Sequence, residues 1–244
     1  MLKIFVLIFF NINLVFAKFP SNIPVCHRYD PRISDCILNS VKTVQPRLTT
    51  GMLGPGIQIP SLEPLYIKSL SLGNDRILRY IVSDISVYGA SNFHIDQLRT
   101  NMNDLKFDFY LTFPRLNING KYKFILNFFG TSLPSQGNLS IVVDGVRAHI
   151  AFKAHRYTQN GREYVICEPI RIKIQRGNII NYNLSNLFDG NSFIGRIIGS
   201  LLLPTSEFSV NDIYPAIEKQ LSNTFTNIAN RVLTEATFDE LFPY

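Results

Sequence analysis

A long amphipathic stretch near the end of the chain, Ser209 to Thr237, places the strongest constraint on the fold. Its apolar residues recur at steps of three and four, which puts their side chains on one face of an α-helix. They are Val210, Ile213, Ile217, Leu221, Phe225, Ile228 and Val232. Most polar residues fall off that stripe, among them Asn211, Asp212, Glu218, Gln220, Asn223, Asn227 and Arg231. Pro215 marks either a first-turn position or a kink. A helix of roughly 40 Å needs an equally long surface to cover its stripe, and we expect a curved sheet to wrap it.

The first residues of the chain, Met1 to Ala17, have the pattern of a secretory signal. A lysine supplies the positive start, an apolar run follows, and small residues precede a cleavage site before Lys18. The run is too short for a membrane anchor, and Asn11 and Asn13 interrupt it. We therefore expect a secreted, extracellular chain whose mature part is residues 18–244.

Charge and composition argue against several classes of function. The chain has 24 Lys and Arg against 18 Asp and Glu, and loss of the signal removes only Lys3, which leaves a formal charge of +5. No run of basic residues concentrates this excess of positive charge. We therefore expect no nucleic-acid partner, whereas weak contact with an anionic membrane stays possible.

The motifs GxSxG, HExxH, CxxC and the EF-hand loop are missing. We expect no catalytic residues, no metal site and no cofactor.

The cysteines and sequons fit an extracellular chain. Of the three cysteines, Cys26 and Cys36 lie close together around a turn at Asp30-Pro31, and we predict that they form a disulfide. The third, Cys167, is expected to be a small buried strand residue and not a reactive thiol. Asn138 and Asn183 each begin a sequon and are predicted surface glycosylation sites.

Between Leu65 and about Ile180 apolar and polar residues alternate, which is the pattern of β-strands. One apolar set ends at Pro114 and the next has the opposite parity, which predicts a bulge there. The first set is Phe107, Phe109, Leu111 and Phe113, and the second begins with Leu116 and Ile118. Asn119-Gly120 predicts a hairpin with a three-residue loop, because this length keeps both apolar sets on one side. The return strand then directs inward Tyr122, Phe124, Leu126 and Phe128.

The following residues repeat this arrangement. Gly145 marks a change of parity and predicts another bulge, and Asn160-Gly161 predicts a turn. The apolar set before the turn is Leu139, Ile141, Val143, Val146, Ala148, Ile150, Phe152 and Ala154. The set after it is Tyr164, Ile166, Ile170, Ile172 and Ile174. Long strands interrupted by bulges give a strongly twisted, curved sheet.

Two shorter helical segments complete the prediction. One runs from Asp35 to Leu48 and is ended or kinked by Pro46, and the other spans Asn186 to Leu203. No linker or repeat divides residues 18–244, so we predict a single α+β domain in which a highly curved antiparallel sheet wraps the long C-terminal helix. Two interpretations of its apolar faces stay open: an ordinary packed core, or the lining of a cavity for a lipophilic ligand.

A series of short motifs runs through the chain in a specific order. The first extends from Cys26 to Cys36 and contains Asp30-Pro31. The later ones are Ile59-Pro60-Ser61-Leu62-Glu63-Pro64-Leu65, Phe113-Pro114-Arg115-Leu116, Gly120-Lys121-Tyr122, Asn186-Leu187-Phe188-Asp189-Gly190, Ile228-Ala229-Asn230-Arg231 and Leu241-Phe242-Pro243. Each is weak alone, but together they cover essentially the whole chain after the signal. In this order and spacing the chain resembles the insect takeout and juvenile-hormone-binding protein family.

The resemblance implies a TULIP-like fold, in which the sheet and the long helix enclose an elongated apolar tunnel. It also implies a secreted carrier, in haemolymph or another extracellular fluid, of juvenile hormone, another terpenoid or a fatty-acyl lipid. A membrane-surface lipid-transfer protein and a chemosensory odorant carrier are the alternatives. Because only one disulfide is available, the chain is more similar to the takeout branch. Members of the family are associated with feeding, circadian rhythm and chemosensation, and nothing in these residues selects among them.

The predicted tunnel lining combines inward residues of the strands with the helix stripe. It consists of Phe107, Phe109, Phe113, Tyr122, Phe124, Leu126, Phe128, Ile150, Phe152, Tyr164, Ile213, Ile217, Leu221, Phe225 and Ile228. Selective binding needs a polar anchor, and Tyr122 and Tyr164 are the candidates because parity directs both inward. We expect a monomer whose partner is one small lipophilic molecule.

Overall fold

The structure is a computed structural model that describes residues 23–54, 57–74, 78–128, 131–187, 196 and 213–244. The side chains of residues 72–74, 78, 126, 128, 131 and 133 are also outside the description. The predicted secretory signal therefore lies outside the described residues, as do Val210 and nearly all of the segment predicted to be helical between Asn186 and Leu203.

Strands dominate the described residues, and the helices lie near the two ends of the chain. In chain order the elements are α1 (Ile33–Leu48), β1 (Met52–Gly54), β2 (Ile57–Gln58), β3 (Leu65–Asn74), β4 (Leu78–Tyr88), β5 (His94–Asn101), β6 (Lys106–Phe128), β7 (Thr131–Gln159), β8 (Arg162–Cys167), β9 (Arg171–Gln175), β10 (Asn178–Leu184), α2 (Tyr214–Leu233) and α3 (Phe238–Leu241).

Two long strands, β6 and β7, form the spine of the main sheet. They pair antiparallel from Lys106 opposite Lys153 to Phe128 opposite Thr131 without a change of register. On the side away from β6, β7 pairs with β10, β9 and β8 at successive points along its length. On the side away from β7, β6 pairs with β4 and β5. Strand β3 extends the sheet beyond β4. The sheet curls around α2, which confirms the predicted α+β fold class.

The hairpin predicted at Asn119-Gly120 is wrong. Strand β6 runs straight through both residues, with Asn119 opposite Ser140 and Gly120 opposite Leu139. The glycine serves a close approach instead of a turn: a Cβ at Gly120 would lie 3.1 Å from the carbonyl oxygen of Ser83, where β4 bulges. Tyr122 and Phe124 are buried as predicted, but on the continuation of the same strand.

The changes of parity at Pro114 and Gly145 are correct, but the predicted bulges in this strand pair are wrong. Phe113 pairs with Val146 and Arg115 with Asp144, so neither strand gains a residue between these pairs. Because both strands change parity at the same level, their apolar faces stay together and the register is kept. Bulges occur instead in the neighbouring strands β4, β5 and β10.

The turn at Asn160-Gly161 is confirmed, with φ of +52° and +73° at its two residues. The parity predicted for the strand after it is wrong. A two-residue turn pairs Gln159 with Arg162, which places Tyr164 opposite Tyr157 on the outer face. Val165 and Cys167 are buried in place of Tyr164 and Ile166, and Ile166 is 37% exposed.

The helices follow the predicted positions with shifted ends. Helix α1 begins two residues early, at Ile33, and Pro46 lies inside its last turn. Helix α2 has 20 residues, a length of roughly 30 Å, and Pro215 occupies its first turn. It ends at Leu233, short of the predicted Thr237, which instead caps α3 through a capping box with Glu240. Every helix in the described ranges is too short or too polar to cross a bilayer.

Candidate functional site

Two dense apolar clusters fill the concave face of the sheet, one at each end of β6. The distal cluster consists of Ile67, Leu70, Tyr80, Val82, Ile85, Tyr122 and Phe124. The terminal cluster consists of Leu98, Leu105, Phe107, Ala154, Val165 and Phe238. A smaller third cluster, Cys167, Ile170 and Ile172, lies beneath α2. The ends of the concave face are therefore packed core.

The middle of the concave face carries half-buried apolar side chains beside buried ones such as Leu111, Val143 and Ala148. On the sheet, Phe113, Leu116 and Val146 are half-buried and belong to none of the three clusters. Phe113 contacts Phe93, with ring centroids 6.2 Å apart. On α2, Ile228 is likewise half-buried and outside the clusters. We call Phe113, Leu116, Val146 and Ile228 the middle section.

Helix α2 covers the concave face with the apolar stripe predicted from the sequence. Its first residues pack on the distal cluster, namely Ile213, Ala216, Ile217 and Leu221. Its later residues pack on the third cluster, namely Leu221, Phe225, Ala229 and Leu233. The helix period places Ile228 on the same face as Leu221 and Phe225. The stripe therefore runs from the distal cluster over the third cluster, and Ile228 lies on the same face of the helix.

A row of polar residues on α2 closes one edge of the sheet. Asn230 accepts a hydrogen bond from the Cys167 backbone N–H at 2.7 Å and donates to its carbonyl at 3.2 Å. Thr226 accepts from the Ile170 N–H at 2.9 Å, and Ser222 donates to the Ile170 carbonyl. These bonds satisfy backbone groups at and between the ends of β8 and β9 that pair with no strand on this side among the described residues.

Glu218 extends this polar row and corrects a prediction. It was placed among the polar residues off the buried stripe, but it is 8% exposed and is the buried residue of α2. Its carboxylate accepts from the Ile174 backbone N–H and from Lys173 Nζ, both at 2.8 Å. The spacing of four residues from Glu218 to Asn230 was visible in the sequence and was the signal that could have revealed this row.

Three of the predicted lining residues belong to the dense clusters. Phe107 lies in the terminal cluster, and Tyr122 and Phe124 lie in the distal cluster, where Phe124 is 1% exposed. The side chains of Leu126 and Phe128 are outside the described residues, and Tyr164 is on the outer face. The remaining predicted residues are half-buried: Phe109, Phe113, Ile150, Phe152, Ile213, Ile217, Leu221, Phe225 and Ile228.

Neither predicted polar anchor is placed to fix a ligand. The Tyr122 hydroxyl donates to the Ser185 carbonyl at 2.6 Å, so its proton is used inside the fold. Burial raises the pKa of Tyr122, and the hydrogen bond with Ser135 opposes this change. Tyr164 packs against Tyr157 on the outer face, with ring centroids 5.9 Å apart. The concave face therefore presents mainly apolar groups.

Both cysteine predictions are confirmed. Cys26 and Cys36 form a disulfide with their Cα atoms 5.8 Å apart. Cys167 is a buried thiol, 4% exposed, whose Sγ contacts the Glu168 carbonyl at 2.9 Å. Burial, with a smaller contribution from the Glu168 charge, raises the pKa of Cys167 to about 12. The thiol is therefore protonated at neutral pH and is a poor nucleophile.

A family model described as haemolymph juvenile hormone binding protein (JHBP) matches residues 4–243. The chain belongs to this family. The family consists of proteins that bind lipophilic ligands. A comparison with curated protein sequences finds no match.

Two solved structures are similar to this JHBP-family chain to different degrees. The crystal structure of Takeout 1 from Epiphyas postvittana superposes with a TM-score of 0.70 at 14% sequence identity, over 91% of this chain and 100% of that one. Lipopolysaccharide binding protein matches with a TM-score of 0.40 at 10% identity, over 87% of this chain and 41% of that one. At these identities the first match supports the fold alone.

The two ends of this JHBP-family chain are tied together beside the terminal cluster. The Arg28 guanidinium donates to the Phe242 carbonyl at 2.8 Å and pairs with Asp239. It also lies 4.6 Å from the ring centroid of Phe238 and 3.9 Å from that of Tyr244. The N-terminal motif and the C-terminal motif are thus one packed unit that covers this end of the concave face.

The motif around Glu63 anchors the loop before β3. The Glu63 carboxylate accepts from the backbone N–H groups of Gly89 and Ser91, each at 2.9 Å, and from the Ser91 hydroxyl at 2.8 Å. Burial alone would raise the pKa of Glu63, but the bonds from Ser91 and Gly89 outweigh it and lower the pKa. Gly89 has φ of +90°, and a Cβ there would lie 2.2 Å from the Arg115 carbonyl oxygen, so this loop requires glycine.

Proposed function

We propose that the chain is a secreted carrier that binds one small lipophilic molecule, a terpenoid or a fatty-acyl lipid, between the concave face of the sheet and α2. The observation that supports it is the middle section. Protein interiors are close-packed, yet Phe113, Leu116, Val146 and Ile228 are half-buried and belong to neither dense cluster, although Leu111, Val143 and Ala148 on β6 and β7 are buried.

The ligand in this proposal contacts half-buried residues on both sides of the interior. From the strands these are Phe109, Phe113, Ile150 and Phe152, and from α2 they are Ile217, Leu221, Phe225 and Ile228. The dense clusters at the two ends set the length of the site. An elongated apolar molecule fits this arrangement better than a compact polar one.

The chemistry of the lining limits the affinity. Burial of about 300 Å² of apolar ligand surface at about 25 cal/mol/Å² contributes about 7 kcal/mol before the costs of association. That free energy corresponds at best to a micromolar Kd. Because the Tyr122 proton is held by the Ser185 carbonyl, no tyrosine predicted as an anchor adds to this value. We therefore propose a carrier that selects by size and shape across related lipids.

Native mass spectrometry of the secreted chain, purified without delipidation, tests the proposal. The expected result is a discrete adduct with the mass of a small lipid, which organic solvent extracts and which identifies the ligand class. A bare protein mass, together with no uptake of terpenoids or fatty acids, would mean that the middle section is ordinary core.

A substitution on α2 locates the site. Ile228→Trp fills the middle section and should weaken binding of an apolar fluorescent probe by about tenfold or more, equivalent to at least about 1.4 kcal/mol. Asn227→Trp is the matched control, because Asn227 is the exposed neighbour on the same helix. Equal probe affinity in both variants would place the ligand elsewhere.

A further inference from the structure

A polar row crosses four strands on the outer, convex face of the sheet. Ser86 on β4 pairs with Asn119 on β6, which pairs with Ser140 on β7, which pairs with Asn183 on β10. Directly opposed residues of antiparallel strands share a face. Their strand neighbours Ile85, Leu139 and Leu184 lie in or against the distal cluster, so the row points away from α2.

An open depression of about 380 Å³ lies along this row. Its lining includes Asp84, Ser86, Tyr88, Asn119, Lys121 and Asn138. Tyr88 presents an aromatic ring that is 44% exposed. Asp84 and Lys121 form an ion pair at 2.9 Å across one side. The depression thus joins an exposed aromatic ring to charged and polar groups.

Three polar side chains of the depression have unused hydrogen-bonding capacity. In the part of the chain that the structure describes, the side chains of Ser86 and Asn119 make no hydrogen bond. The side-chain amide of Asn138 is exposed and equally unbonded within those residues. A hexose has an apolar ring face and hydroxyl groups at the edge of its ring. It therefore matches this combination of an aromatic side chain and polar groups.

We propose that Asn138 carries an N-linked glycan whose first N-acetylglucosamine units lie in this depression against Tyr88. In the transfer, the Asn138 amide nitrogen forms a bond to C1 of the oligosaccharide of a lipid-linked donor. The bond from C1 to the donor diphosphate breaks, the nitrogen loses one proton, and dolichyl diphosphate leaves. Ser140 supplies the hydroxyl that the sequon requires.

The second sequon differs in its relation to the depression. Asn183 lies diagonally across from Asn138 on the same face but does not line the depression. The Ser185 hydroxyl of its sequon accepts a hydrogen bond from the Asn138 backbone N–H at 2.8 Å. Because Asn138 lines the depression and Asn183 does not, the sugar–Tyr88 contact is assigned to the Asn138 glycan.

Site occupancy is the first test, and it rests on the secretory routing that is part of the proposed function. The full chain is expressed in a secreting eukaryotic cell, and peptide N-glycosidase in ¹⁸O-water marks each occupied asparagine. We expect occupancy at Asn138 that is lost in Asn138→Gln and Ser140→Ala and kept in Ser140→Thr. A secreted chain bare at Asn138 overturns this inference alone, whereas a chain retained in the cell without glycan overturns the routing as well.

Thermal unfolding before and after glycan removal tests the contact with Tyr88. Deglycosylation should lower the Tm by roughly 2–4 °C, and this difference should vanish in Tyr88→Ala and in Asn138→Gln. Tyr182→Ala is the control, because Tyr182 is 53% exposed on β10 and does not line the depression. An unchanged difference in Tyr88→Ala overturns the proposed contact. Uptake of an apolar probe by Asn138→Gln tests the carrier proposal separately.

Discussion

Removal of the Asn230 side-chain amide tests whether α2 is held by its polar row as well as by its apolar stripe. Asn230 bonds both the N–H and the carbonyl of Cys167, at 2.7 and 3.2 Å. Asn230→Leu keeps the approximate size of the side chain and leaves both backbone groups without a partner. Each orphaned group costs about 1–3 kcal/mol. Because Asn230 is half-buried, we expect a combined loss near the lower end, about 2–3 kcal/mol.

Thermal unfolding followed by circular dichroism measures this loss. For a chain of this size, about 2–3 kcal/mol corresponds to a fall in Tm of roughly 4–12 °C. Asn230→Asp keeps the acceptor for the Cys167 N–H and removes the donor, so its loss should be intermediate. Asn227→Leu is the control, because Asn227 is exposed on the same helix, and it should change stability by less than about 0.5 kcal/mol. Equal Tm values for Asn230→Leu and Asn227→Leu would refute the argument.

Three further predictions follow from groups whose environment the fold fixes. Because the pKa of Glu63 is lowered in the folded chain, its stabilisation is complete above the unfolded carboxyl pKa of about 4.3. This stabilisation is lost as the pH falls through the lower folded pKa. In Glu63→Gln the free energy of unfolding should therefore fall less steeply with decreasing pH at acid pH. The same steepness in both proteins would contradict this. Cys167, with a pKa of about 12, should react with a thiol reagent only after denaturant is added; rapid labelling of the native chain would show that it is accessible. Tyr122→Phe removes the donor to the half-buried Ser185 carbonyl and should lower the free energy of unfolding in urea by about 1–2 kcal/mol. An unchanged free energy would show that this hydrogen bond does not stabilise the fold.

The long helix and the alternating strands could be predicted from the sequence because their periods are local properties. The stripe from Ile213 to Phe225 packs as its spacing indicates. The disulfide between Cys26 and Cys36 was predictable because the two positions are only ten apart in the sequence. The hairpin predicted at Asn119-Gly120 was wrong because glycine is favoured both in turns and where two strands approach closely. The position of the β4 bulge distinguishes these two roles, and it is a tertiary feature that the local sequence does not show.

The candidate site was less predictable for the same reason. Parity indicated that Phe113 and Phe124 both face inward, but not that Phe124 lies in a dense cluster while Phe113 lies in the middle section. Tyr164 was misplaced because the two-residue turn at Asn160-Gly161 sets which parity returns inward. Glu218 is polar yet buried because the partners that hold it, Lys173 and the Ile174 N–H, are distant in sequence.

The position of α2 after the strands that it covers has a consequence for biosynthesis. The strands that the structure describes are all translated before Tyr214, so the concave apolar face of the sheet emerges without the helix that covers it. Domains begin to fold while synthesis proceeds, and exposed apolar surface at that stage promotes aggregation. A nascent chain truncated just before α2 should therefore bind chaperones, and release from them should require α2 to dock.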